Sequence, residues 1–472
     1  MPIGLVLGGG APHLPLMSGA LLALEEAGLD FKVMSTTGAG MLAGLLYVSP
    51  SRLNPAESLG EARRRAFRAT STMGVEDLIY QFLPINYKVF QKPGPVAEAL
   101  APAFNLFFQA PRDTPEQRLF SDWMALMSAT FMPSSLTPWS KGLCQPPSWI
   151  EGLVDFDAFL DNLGEAGFRL GAYCIEDRAD VSFDREDLSL DHCKAALAMP
   201  FIYEPYKLSD GAGGEKTYLE GSAFDPLKLN PDDVMVDGDV DTIIFFDILG
   251  HRKLVDEPRD LTDAWVQSII APLTRLTENS LEQFKDRRAR HAQNRFLTAL
   301  DKASDLAETD SGAFKDKRDL IRAERELYAL TDLLGSADVD LVAFQTAMTI
   351  HLNDQSDSRL QQLADLAGAD YAAFVREREI YLKERELAAG VPSTCTATHS
   401  RRSELLRMPF RRHIPEDHWP KILDWSHSNL SFLFEVGYET GRTFLENHRQ
   451  RLESSLGRPL KETGATAAEA AE

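Results

Sequence analysis

The chain of 472 residues carries 49 Lys and Arg against 71 Asp and Glu, a formal net charge of −22, with 44 % hydrophobic and 25 % charged residues. These fractions exclude a wholly disordered or collagen-like chain, and the length supplies one large domain or two to three ordinary ones. The charge argues against nucleic acid as a partner, because phosphates need Lys and Arg opposite them. It also argues against adsorption to an anionic membrane through a basic patch. Cys144, Cys174, Cys193 and Cys395 lie far apart with no CxxC pair. Neither a disulfide framework nor a zinc site is expected, no cofactor is implied, and a reducing compartment is the simple reading.

The N-terminal segment MPIGLVLGGGAPHLPLMSGALLAL has no Lys or Arg before Lys32 and carries a triple glycine, unlike a secretory signal. No uninterrupted apolar run reaches the span of a bilayer, so no transmembrane segment is expected. The expectation is a cytoplasmic protein that meets a membrane or lipid surface, if at all, through a local peripheral patch.

In chain order, Ile3–Leu7 (IGLVL) is a short apolar run ending at Gly8, Gly9 and Gly10, a buried strand entering a tight loop. Leu16–Ala27 reads as a helix stopped by Gly28. Phe31–Ser35 (FKVMS) reads as a second strand, Thr36–Gly40 (TTGAG) as a glycine turn and Met41–Val48 as a second helix. Strand, glycine loop and helix, repeated, predict a parallel α/β sheet with functional loops at the carboxyl ends of its strands. Residues 78–147 are rich in Phe, Met, Pro and Trp without a clean period. They read as an irregular, partly helical insertion able to line an apolar cleft.

Strand signals return at Phe168–Ile175, Val181–Phe183 and Thr242–Leu249, with a helix over Leu190–Ala198. From Leu261 the pattern is helical, charged and amphipathic. Gly390–Pro415 reads as a linker or exposed basic loop, Trp419–Leu456 as a last helix, and residues 457–472 as a frayed tail. The expected division is an α/β domain over 1–260 and a helical region over 261–456. The last helix of that region packs back on the core, and the others are open to a protein partner.

A glycine loop between a strand and a helix aims backbone N–H groups at one point, where they can hold a phosphate or an oxyanion. The GGG run lacks the GxGxxG spacing of a dinucleotide site and the GK[ST] of a P-loop. With a strand–turn–helix of small residues soon after, the layout is that of an acyl hydrolase with an oxyanion loop and a nucleophile elbow. Here the chain resembles the patatin-like phospholipase family. LVLGGGAPHLPLMSGALLALEEAG is similar to that family's opening strand, oxyanion loop and helix, and VMSTTGAGMLAGLLY to its elbow. AALAMPFIYEPYKL and YLEGSAFDPLKLNPDD resemble its later Ala-Ser-x-x-Pro and Asp-Gly-Gly segments, and Glu435–His448 its closing helix.

The resemblance implies a patatin-like three-layer α/β fold with a mostly parallel central sheet. The extended helical C-terminal region read from the sequence pattern has no counterpart in the family over Leu261–Pro415. The resemblance also implies lipid metabolism, with cleavage of acyl esters by a Ser–Asp dyad and an oxyanion loop over Gly8, Gly9, Gly10 and Ala11. The elbow G-x-S-x-G falls on Thr36, Thr37, Gly38, Ala39 and Gly40, so its nucleophile position falls on Gly38, which has no side chain. The dyad Asp falls on Glu220, the loop Arg on His13, and the glycine after it on Leu14. Thr37 stands beside the apex and Ser35 at the strand end, and Ser35 and His13 are the candidate substitutes. Four departures around one site point to a catalytically degenerate protein, a pseudoenzyme that binds a lipid or acyl ester or an active relative. The alternative is an acyl hydrolase of phospholipase A or esterase type, pairing an unusual nucleophile with Glu220. No metal is expected, since His192, His427 and His448 have no partners at ligand spacing.

Overall fold

The computed structural model describes residues 3–461, less 11–12, 55, 101–113, 210–212, 231–233, 235–239, 241, 250–251, 256, 259–263, 282 and 285–403. The helices expected between 285 and 390, Ala11, Arg401, Arg402 and residues 462–472 of the expected tail therefore lie outside the described residues. Residues 457–461, expected to fray, pack on the core instead, with Leu460 buried and Lys461 N–H bonded to Ala27 O at 3.0 Å. The chain divides into two units. One comprises residues 1–229, 233–280 and 403–472, and the other 230–232 and 281–402. The first unit holds everything below.

Its sheet has eight strands: β1 (Ile3–Leu7), β2 (Val33–Thr37), β3 (Gly167–Cys174), β4 (Ala179–Asp184), β5 (Tyr206–Ser209), β6 (Glu215–Glu220), β7 (Thr242–Phe246) and β8 (Glu404–Arg407). The order is β8-β7-β1-β2-β3-β6-β5, with β4 also on β3. β8, β7, β1, β2 and β3 run parallel. β4 and β6 pair antiparallel with β3, and β5 with β6. This is the mostly parallel α/β architecture expected. β1 and β2 are buried along their whole length, as central parallel strands must be.

The two neighbours of β1 in the sheet lie on opposite sides, β2 on one and β7 on the other. The carboxyl end of β1 is therefore a topological switch point, where open α/β sheets leave a crevice. The glycine loop starts there.

Helix α1 (Leu14–Glu26) begins two residues earlier than its apolar run, because Pro15 is at home in a first turn. Helix α2 is Ala39–Val48 and α3 is Leu59–Ala69, whose Ser58 and Glu61 make a reciprocal capping box. The insertion holds α4 (Pro115–Phe131), capped by Thr114 and Gln117. On its inner side Asp122 pairs with Lys88 at 2.9 Å, both almost fully buried. Its Phe120, with Phe82, Phe131 and Trp139 nearby in sequence, is exposed, Trp139 to 90 %. The described part of the insertion thus turns large aromatic side chains to solvent, where the sequence suggests the lining of a cleft.

Residues 264–280 are helical. Within the stretch expected to be a linker, Glu404–Arg407 instead joins the sheet as β8, followed by a short helix at Phe410–His413. Arg407 and Arg411 of this stretch reach the buried carboxylate of Asp247, just past β7. Two of the arginines read as a solvated basic loop therefore neutralise a buried acid. The last helix, α5, is His427–Leu456, capped by Ser426 and closed by Gly457 in the left-handed region. The eight residues before it that the sequence pattern included overlap a 3-10 turn, Glu416–Lys421, containing Pro420. α5 packs against α1. Among the described residues no helix is long and apolar enough to cross a membrane.

Candidate active site

The first glycine loop follows β1. Gly8 N–H donates to Phe246 O at 3.3 Å and Gly9 N–H to Pro226 O at 2.9 Å. Two of the loop's donors therefore hold the fold together. Gly10, at φ +116 and partly exposed, is the member that turns outward. Its N–H has no partner among the described residues. Ala11 lies outside the described residues.

The second loop follows β2. Gly38 is the N-cap of α2 with φ 50° and ψ −129°. An L-residue there is strained by about 1–3 kcal/mol, and glycine is not. Around it the polar strand residues are committed to the core. Ser35 Oγ donates to Lys228 O at 2.8 Å, and Thr36 Oγ1 to Arg169 O at 2.9 Å. Thr37 Oγ1 is buried with no partner among the described residues. A Cβ at Gly40 would run into the carbonyl oxygens of Leu7 and Gly8, so the start of α2 lies directly on the end of β1.

The third piece is the end of β6. Glu220 caps a 3-10 turn of Gly221–Ala223. Its side chain is 8 % exposed. Burial raises its pKa from 4.5 to about 7, against a lowering hydrogen bond from Ser222. Ser222 Oγ donates to Glu220 Oε1 in a short hydrogen bond. These two side chains meet both glycine loops. An ideal Cβ on Gly38 would lie 2.5 Å from Glu220 Oε1 and 2.7 Å from Ser222 Oγ. One on Gly9 would lie 2.5 Å from Ser222 Cβ and 2.7 Å from Ser222 Oγ. The fold therefore brings together Gly9, Gly38, Glu220 and Ser222 from three separate segments.

Ser222 is the residue that sequence reasoning missed. It stands in the segment Glu220–Gly221–Ser222, and only the fold reveals that its side chain faces Gly38. The other candidates are elsewhere engaged. Ser35 faces Lys228. His13 is wholly buried under the loop, its backbone N–H bonded to Gly10 O at 3.1 Å. Neither ring nitrogen has a partner among the described residues, and burial lowers its pKa to about 3. Asp225, another acid close by in sequence, accepts from Lys228 N–H and Ser280 Oγ and so serves the turn around Pro226. Among the described residues no group of three His, Cys, Asp or Glu is placed to hold a metal.

The raised pKa of Glu220 makes the folded state keep a proton that the unfolded chain has released between about pH 4.5 and pH 7. Stability therefore falls as pH rises through that window, by roughly 1.4 kcal/mol for each pH unit. Glu220→Gln keeps the acceptor for Ser222 and removes the titration. We expect it to stabilise the protein at pH 8 by about 2–3 kcal/mol and to leave it little changed at pH 4. Urea unfolding at the two pH values measures the difference, and equal effects at both would contradict the burial of an ionisable carboxyl.

Three comparisons bear on this geometry. The family model for Patatin-like phospholipase matches residues 5–232. That span takes in the glycine loop, Gly38, Glu220 and Ser222. No curated protein matches the chain. Among solved structures, VipD from Legionella pneumophila aligns over 83 % of this chain and 88 % of its own, at 11 % identity and a TM-score of 0.25. With its α/β sheet, strand-end glycine loop and matched family model, the chain carries a patatin-like phospholipase domain over residues 5–232.

Proposed function

We propose that this protein serves lipid metabolism as a patatin-like protein whose elbow no longer attacks. It is a pseudoenzyme at the Ser–Asp dyad that binds an acyl ester at the carboxyl end of β1. The observation that carries this reading is Gly38. Its backbone turns sharply from strand to helix at φ 50°, as a nucleophile elbow does. It offers no side chain, and the space beside it holds Glu220 and Ser222. Neither neighbouring hydroxyl takes over, because Ser35 is bonded into the core and Thr37 lies in the buried strand.

The exposed Phe82, Phe120, Phe131 and Trp139 support contact with a lipid surface through apolar side chains, which a net charge of −22 requires. A second reading, acyl hydrolysis with a nucleophile from outside the elbow, is favoured by the Ser222–Glu220 hydrogen bond.

Titration calorimetry with a short-chain, ether-linked phosphatidylcholine below its micelle concentration tests the common ground of both. Saturable binding is expected, and it should survive Ser35→Ala and Thr37→Ala. A folded protein that shows no binding heat contradicts the acyl-site reading.

A further inference from the structure

The elbow has lost a side chain, and the wall opposite it presents one. A hydroxyl therefore still stands at the meeting point of the glycine loop, the start of α2 and a buried carboxylate. We infer that Ser222 is the nucleophile of this site, with Glu220 as its base, so that the attacking oxygen comes from the turn after β6 and not from the elbow. The inference rests on the second, hydrolytic reading above, names the group that acts on the ester, and replaces the pseudoenzyme reading where it holds.

Position is the first argument. Ser222 Oγ lies 2.7 Å from where a Cβ would stand on Gly38, and 2.7 Å from where one would stand on Gly9. It thus occupies the space that a side chain at the apex would fill. Pairing is the second. Ser222 Oγ donates to Glu220 Oε1, the geometry required for a carboxylate to take its proton. The carboxylate is otherwise buried, and its pKa of about 7 leaves a useful share of base near neutral pH. The supply of oxyanion donors is the third. The N–H groups of Ala39 and Gly40, at the start of α2, have no intrahelical acceptor and carry the positive end of the helix dipole, whereas Met41 N–H is bonded to Gly38 O at 3.1 Å. Gly10 N–H adds a donor from the loop.

The chemistry balances with these groups alone. Ser222 Oγ attacks the ester carbonyl carbon while its proton passes to Glu220. The oxyanion is held by the N–H groups of Ala39 and Gly10. Collapse breaks the bond to the leaving alcohol, which takes the proton from Glu220, and an acyl-Ser222 ester remains. Water then attacks, giving its proton to Glu220, and Ser222 leaves by taking that proton back. An ester and water become a carboxylic acid and an alcohol. Ser222 is 3 % exposed and Leu249 lies against Gly10, so the reaction requires the Leu249 side chain to move aside for the ester.

The test is labelling of the whole protein with a fluorophosphonate, followed by trypsin and mass spectrometry. Cleavage after Lys32, Arg52, Lys216 and Lys228 separates Val33–Arg52, which holds the elbow, from Thr217–Lys228, which holds Ser222. The adduct is expected on Ser222, lost in Ser222→Ala and formed about 10²–10⁴-fold more slowly in Glu220→Gln. If neither variant folds, the wild-type peptide map decides. An adduct on Val33–Arg52 overturns the proposal. So does absence of any adduct while the ether lipid still binds, and that outcome leaves the acyl site standing. Absence of both adduct and binding removes the two readings together.

Discussion

Gly437→Leu unfolds the α/β unit under conditions where the wild type is stable. α5 crosses α1 closely at three glycines, two of which meet the other helix's backbone directly. A Cβ on Gly437 would strike the carbonyl of Leu16, and one on Gly19 the carbonyl of Phe434. One on Gly441 would lie 2.8 Å from Ala23 Cβ. Backbone in a helix cannot yield as the tip of a flexible side chain does, so the two helices must separate. Separation opens the densest part of the core, since Leu16, Met17, Ala20 and Leu21 of α1 and Leu430, Leu433 and Phe444 of α5 are fully buried. Overpacking costs about 1–3 kcal/mol where side chains can adjust. Here we expect about 3 kcal/mol or more, a large share of a total stability of about 5–15 kcal/mol. The urea midpoint should fall by about 1 M or the protein should fail to accumulate in soluble form. A midpoint unchanged from wild type would show that the helices do not meet through their glycines.

The second large effect is on chemistry. From the sequence, Gly38→Ser with Glu220→Asp rebuilds the family's dyad. The geometry adds a third change. A Cβ at position 38 meets both Glu220 Oε1 and Ser222 Oγ, so Gly38→Ser alone is both strained and crowded. Glu220→Asp withdraws the carboxylate by about 1.5 Å, one C–C bond. Ser222→Gly clears the remaining obstruction and completes an Asp-Gly-Gly segment. The triple variant Gly38→Ser, Glu220→Asp, Ser222→Gly is therefore expected to hydrolyse a p-nitrophenyl acyl ester about 10²-fold faster than the double variant, because a misplacement of about 1 Å costs that much. Equal rates for the two would mean that Ser222 does not crowd the apex.

Much of the fold is legible in the sequence because its core is locally apolar. β1 is read to the residue, and the parallel pattern follows from two strand–loop–helix units. β2 is displaced by two residues, for a specific reason. Phe31 packs edge-on against Tyr47, outside the sheet, while Ser35, Thr36 and Thr37 are wholly buried inside it. Apolarity alone ends the strand too early, because Ser35 and Thr36 satisfy their hydroxyls on distant carbonyls. α4 escapes the apolar period because its Phe120 and Trp123 face solvent and its inner face carries Asp122. Its capping box at Thr114 and Gln117 is the signal that remains legible. β8 is four residues in an arginine-rich stretch, and its partner β7 lies some 160 residues away in sequence. The site shows the same limit. Gly38 and Glu220 are found through the family resemblance, but the approach of Ser222 to Gly38 and Gly9 exists only once β6 and the two glycine loops are assembled.

One pair of peptide maps tests the central claim, that the attacking hydroxyl stands at position 222 and not at the elbow. Wild type and the triple variant are treated with the same fluorophosphonate and digested side by side. The account predicts the adduct on Thr217–Lys228 in the wild type and on Val33–Arg52 in the triple variant. An adduct on Val33–Arg52 in the wild type would contradict it.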